Sequence, residues 1–197
     1  MKSTIMRPAA IFGVILVGIS LSAAIVGCFG DGQAKDKVNQ ARDLIANSQP
    51  LLQDLTTLDA RFNSLGTRFS KVEDTIAEGK SLASMAMIDV DELESRYSET
   101  RDLLNETINI NSAGDYADYS RLALQAVESK LQEIGLNREL LTAVSDMLDV
   151  LPMAQNEEQL SYYVERIDGL SKGISESSAQ ASQAAQAADA YFAEHGL

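Results

Sequence analysis

Residues 51–76 read LLQDLTTLDARFNSLGTRFSKVEDTI. The large apolar side chains Leu51, Leu55, Leu58, Phe62, Leu65, Phe69, Val72 and Ile76 recur at alternating intervals of four and three. An apolar residue every 3.5 positions on average draws one stripe down an α-helix, the seam along which helices of a coiled coil meet. The stretch therefore predicts a long helix with a single buried face, and it sets the expectation for the chain around it.

Upstream, residues 32–49 are polar apart from Val38, Ala41, Leu44 and Ile45 on one side. Pro50 lacks a backbone N–H and is expected to kink this helix or restart it after Gln49, and Gly79 is expected to mark its far end. A second helix is predicted from Ser81 to Asn109, with Ala86, Val90, Leu93, Tyr97, Thr100, Leu104 and Ile108 on its seam and a restart at Asp89 with Glu92 as a capping pair. The segment NINSAGD, residues 109–115, reads as a turn. A third helix from Asp115 is predicted to pause at Gly135–Leu136, restart at Asn137 and end at Pro152. A fourth opens at Asn156 with Gln159 as its capping partner and runs along Leu160, Tyr163, Ile167, Leu170, Ile174, Ser177, Ala181, Ala184, Ala188 and Tyr191. Its side chains shrink after Ile174, which fits either an end half-detached and kept helical by alanine alone or, the favoured reading, close packing against the first helix, where Phe62 and Phe69 supply bulk for small partners to accommodate. The fold class expected is all-α: an elongated up-down-up-down four-helix bundle with coiled-coil-like packing over residues 38–194. The competing architecture is a helical hairpin that completes its core with another subunit.

The N-terminus carries a different signal. Lys2 and Arg7 are the only charges before Asp31, and residues 9–29 form a long apolar run. A basic start followed by such a run is an export or membrane-insertion signal. The run ends in Ile25, Val26, Gly27 and Cys28, which resembles the lipobox of bacterial lipoprotein precursors. That resemblance implies a diacylglyceryl group on Cys28, cleavage before it, and residues 1–28 as a signal or anchor segment followed by a short linker over 29–37. The other reading retains the run as a membrane span, which needs roughly 17–25 apolar residues. Both readings keep the basic end in the cytoplasm and place the body outside.

Lys2 and Arg7 account for two of the 16 Lys and Arg, so residues 29–197 hold 14 against 29 Asp and Glu, a formal balance of −15. Such a surface disfavours nucleic acid and anionic headgroups as partners. Cys28 is the sole cysteine. No disulfide can staple the body, which must hold itself together by packing. The lack of Trp, a total of three Pro and 45% apolar residues agree with helices.

No constellation of catalytic or metal-ligating residues is legible. The sole histidine, His195, stands three residues from the end, where fraying is expected. DVDELE, residues 89–94, lacks the glycine and ligand spacing of an EF-hand loop and reads as an acidic helix start. Tyr116, Tyr119, Tyr162 and Tyr163 cluster at the starts of the third and fourth helices and are expected to form two patches at opposite ends of the bundle. Asn105 matches a glycosylation acceptor that a lipobox-reading host leaves idle. Thr100 and Ser177 read as core hydroxyls bonded to the preceding helical turn. No catalytic residue, cofactor or metal is expected. The function expected is a membrane-anchored interaction or scaffold module of the cell envelope, bound to an envelope protein or another copy of the chain. The alternative is a small-ligand-binding or sensing bundle.

Overall fold

The computed structural model describes residues 32–68, 71–154 and 158–197, the side chains of 66–68 excepted. It is an all-α four-helix bundle. Helix α1 (Gly32–Asn47) and α2 (Gln49–Arg68) form the first leg, followed by α3 (Val72–Ile108), α4 (Asp115–Val150), a 3-10 turn (Leu151–Met153) and α5 (Glu158–His195). At 1.5 Å per residue, the three long helices span roughly 55 Å each.

The break between α1 and α2 falls where Pro50 placed it, and its loosened backbone groups find partners. The Ser48 N–H donates to the Ile45 carbonyl at 3.1 Å, and the Leu52 N–H donates to the Ser48 carbonyl at 3.2 Å. The Ser48 hydroxyl donates to the Leu44 carbonyl at 2.8 Å, and the Arg96 guanidinium reaches across from α3 to the Asn47 carbonyl. A helix broken in water leaves such groups to solvent; here they are bonded within the protein, as burial requires. Beyond the break the buried stripe is Leu52, Leu55, Leu58, Phe62 and Leu65, with Leu52 replacing Leu51 as the more buried side chain.

The first leg ends about ten residues earlier than Gly79 suggested. Helix α3 already begins at Val72, with Glu73 and Asp74 in its first turn, where negative charge complements the helix dipole. Val72 and Ile76 thus belong to α3. Gly79 is buried inside that helix, and a Cβ there would stand 2.9 Å from Leu148 Cδ1. The glycine marks a close approach of α3 to α4 rather than a stop. No restart occurs at Asp89, for α3 is continuous. Its buried residues include Ala86, Val90, Leu93, Tyr97, Thr100 and Leu104, with Thr107 in place of Ile108.

The turn over 109–114 lies where the sequence placed it. Gly114 has φ +51° and ψ −127°, backbone that is essentially restricted to glycine. Helix α4 then runs unbroken through Gly135. A Schellman stop needs a left-handed residue, and the positive-φ glycines among the described residues are Gly114 and Gly196. The Asn137 amide donates to the Glu133 carbonyl at 3.0 Å instead of capping a new start. Residues 155–157, with the expected cap at Asn156, lie outside the described residues.

Helix α4 is the hub. It packs on α3 along one flank and on α5 along the other, while α1 and α2 both lie on α3 and α1 also touches α4. Partners run in opposite directions. Lys37 pairs with Glu106 and Arg61 with Glu78 across the first leg and α3; Lys80 pairs with Asp149 and Arg138 with Asp91 across α3 and α4. The small side chains of α5 therefore serve α4 chiefly, which corrects the expected partnership with Phe62, because that residue sits on α2 against α3. Phe69 lies outside the described residues. On α5, Ala185 takes the buried place expected of Ala184, alongside Ser177, Ser178, Ala181 and Ala188.

Candidate functional site

Midway along α4 the apolar stripe is interrupted by two charges. Lys130 and Glu133 are about 1% exposed, and Lys130 Nζ donates to Glu133 Oε1 at 2.8 Å. They fall on the core face because they continue the spacing of Ala123, Ala126, Val127, Ile134 and Asn137, buried residues three or four apart. Removing two charges from water costs several kcal/mol each, so their attraction has to offset a large desolvation term. The offset is incomplete. Glu133 Oε2 has no hydrogen-bond partner, and the same holds for the buried hydroxyls of Ser178 and Ser120.

Tyr97 on α3 lies close enough to Glu133 to feel its charge. Burial first, and then the Glu133 carboxylate, push the Tyr97 hydroxyl well above the ordinary tyrosine range. It stays a neutral phenol. Lys130 also borders a cavity of about 20 Å³, lined mostly by apolar groups including Ile45, Tyr119, Val127 and Ala185. That is room for about one water, against the roughly 300–1,000 Å³ of a small-molecule pocket.

Beside the cavity, Arg42 bridges α1 to α5. Its guanidinium lies 3.9 Å from the centre of the Phe192 ring, 3.2 Å from the Tyr119 hydroxyl and 3.9 Å from the Asp189 carboxylate. Tyr119 and Phe192 meet edge to face at 5.1 Å. Burial raises both Tyr119 and Asp189, and in each case Arg42 opposes the shift. The cluster holds the end of α5 against the bundle.

Cys28, together with Ile25, Val26 and Gly27, lies outside the described residues. No helix among the described residues is long and apolar enough to cross a membrane. His195 is the last residue of α5; it stacks on Tyr191 at 4.0 Å, with Nδ1 3.5 Å from the Asp115 carboxylate. The Tyr191 hydroxyl donates to Asp115 at 3.4 Å, so the end of α5 meets the start of α4. The two tyrosine pairs consequently occupy opposite ends, as expected. Tyr116 and Tyr119 are buried, whereas Tyr162 is 64% exposed.

The acidic run 89–94 sits in mid-helix rather than at a helix start. Asp91 and Glu94 both pair with Arg138, and Glu92 pairs with Arg96 at 2.8 Å. Among the described residues, no group of three or more His, Cys, Asp or Glu side chains is placed to hold a metal ion. Asn105 is exposed on α3, and the Thr100 hydroxyl donates to the Arg96 carbonyl at 2.8 Å. The Lys130–Glu133 pair was missed by sequence reading, although its i,i+3 spacing in phase with the core was the available signal.

No family model, curated protein or solved structure matches this chain.

Proposed function

We propose that the chain is a membrane-anchored, extracytoplasmic helical bundle that acts as a protein-interaction or scaffold module of the cell envelope and carries out no reaction of its own. In this reading lipid on Cys28 holds it to the membrane with the body facing outward, and the body is an elongated up-down-up-down rod with coiled-coil-like packing. The observation that carries the reading is where apolar surface is spent. The cavity beside Lys130 admits about one water, while Ile88, Met153 and Tyr162 stand 64–71% exposed on the outside. A ligand-binding bundle needs room within; a docking module needs exposed anchors.

The ends of the rod support the same reading. Gly32, four residues after Cys28, opens α1 at the end where α3 finishes, since Lys37 pairs with Glu106. Val72, Met153 and Tyr162 are exposed near the opposite end, at the start of α3, the close of α4 and the start of α5. A tether at one end leaves the far end and the sides of the rod free to meet a partner.

Intact-mass measurement on membrane-purified protein tests the anchor. A chain beginning at Cys28 with added acyl mass is expected, and Cys28→Ser abolishes the addition; the mass of the full unmodified chain overturns it. Protease added to intact spheroplasts should digest the body, and protection would refute the outward topology. Cross-linking in native membranes should recover a reproducible envelope protein. Recovery of the bundle alone with a small molecule in its interior reverses the functional reading.

A further inference from the structure

One strip on the side of the rod sets exposed apolar side chains beside acids that no cation among the described residues pairs with. On α3, Ile88 is 67% and Met85 46% exposed. They lie three residues apart, so they share one face of the helix. Asp89 stands one turn beyond Met85 at the rim of the α2–α3 contact, within electrostatic reach of Asp54 on α2. Burial first, and then the charge of Asp54, raise Asp89 above the usual carboxylate range.

The neighbouring acids of α3 are neutralised: Asp91 and Glu94 by Arg138, Glu92 by Arg96. Asp54 and Asp89 make no ion pair with any described residue. Two carboxylates that repel one another beside two exposed apolar side chains form a surface improved by an arriving cation and an arriving apolar group together.

We propose that the Asp54–Asp89–Met85–Ile88 strip is the docking surface of this module, and that its partner is a basic amphipathic helix of another protein. The proposal rests on the interaction-module reading and gives it a place and a chemistry. A lysine or arginine one turn from a large apolar residue on the partner would meet the acidic pair while its neighbour covers Ile88. Such complementarity speeds encounter and fixes register. A second copy of the chain suits the strip poorly. A two-fold contact would set the same carboxylates against themselves, and many of the chain's own cations, including Lys37, Lys80, Arg61, Arg96 and Arg138, are already held by its own acids.

The test is photo-crosslinking in native membranes, using the full chain with a benzophenone amino acid at Ile88, at Tyr162 on the far end, or at exposed Ser175 on α5. Each cross-linked peptide is sequenced by mass spectrometry. A Lys- or Arg-rich amphipathic segment of another protein is expected at Ile88 and not at Ser175. D54N/D89N should lower the yield by about fivefold, the effect of roughly 1 kcal/mol in charge pairing. D168N/E165Q, which removes two exposed carboxylates of α5, should leave it unchanged, and circular dichroism checks that each variant is folded. A cross-link to another copy of the chain, or equal losses from both pairs of substitutions, overturns the strip and its occupant. Cross-linking at Tyr162 alone also overturns the strip while sparing the interaction module; absence of a protein cross-link at all three positions counts against both.

Discussion

Lys130 and Glu133 hold the bundle to an electrostatic condition that no apolar pair would impose. Removing one partner leaves the other charge buried, so Lys130→Met is expected to cost about 3–5 kcal/mol in urea unfolding. The double substitution K130M/E133L removes both charges and should be close to neutral or stabilising by about 1–4 kcal/mol. If the double variant is as unstable as the single one, the pair contributes far more than its desolvation cost. Asp59 gives a second residue-scale prediction, this time in pH. Burial raises its carboxyl from 3.8 to about 6, partly opposed by a hydrogen bond from Asn63. Between those values the folded chain keeps a proton that the unfolded chain releases. The contribution of Asp59 to stability is therefore full below pH 3.8 and is lost as pH rises to about 6. Because Asp59 is partly exposed, the loss is expected to be about 1 kcal/mol, less than the shift alone implies. Asp59→Asn should match the parent at about pH 4 and exceed it by about 1 kcal/mol at about pH 7. Equal stability at both pH values would contradict the assignment. Neither group was identified from the sequence, because a polar residue in phase with a seam is buried only if its neighbours leave it no route to water.

At the scale of the helix, glycines separate stops from contacts. Gly135 is helical, and a methyl group in place of its hydrogen would meet nothing within 4 Å. Gly135→Ala should therefore stabilise by roughly 0.5–1 kcal/mol through helix propensity. Gly79→Ala gains the same propensity but presses on Leu148 Cδ1 at 2.9 Å, so it should fall below Gly135→Ala by about 1 kcal/mol or more. Gly114→Ala should lose about 1–3 kcal/mol, because its left-handed turn strains any Cβ. Thermal melts of the three variants rank these effects, and a destabilised Gly135→Ala would restore the stop there. The seam of the first leg, the break at Pro50 and the turn at 109–114 were legible because each depends on local chemistry. The turn between α2 and α3 was not. Val72 and Ile76 begin the next helix in the same phase, so the heptad runs past the reversal unbroken.

For the whole molecule, the weakly joined flank is the one between α1 and α5, since α4 carries most of the contact made by α5. Arg42 is the bridge there, reaching Phe192, Tyr119 and Asp189. Arg42→Ala is expected to destabilise by about 1–2 kcal/mol through the lost cation–π and hydrogen-bond contacts. Amide exchange should quicken in the last turns of α5 and not in α3. Uniform exchange across the bundle would show that α5 opens only with global unfolding. Sequence reading placed small residues at this end of α5 and expected the first helix beside them; α1 does meet them at Ile45 and Arg42, but α4 rather than Phe62 is their main partner. Small side chains report that something comes close, without saying which helix it is.

The sequence by itself determined that the chain folds into long helices with one buried face, interrupted near Pro50 and turning at 109–114, and that its body is acidic. These follow from period, turn chemistry and charge, all of which are local properties. Only the tertiary structure decided that α4 is the hub, that Gly79 is a contact, and that Lys130 and Glu133 are shut away together. Those outcomes depend on which faces meet, and a periodic stripe fits several partners until the packing of all the helices selects among them.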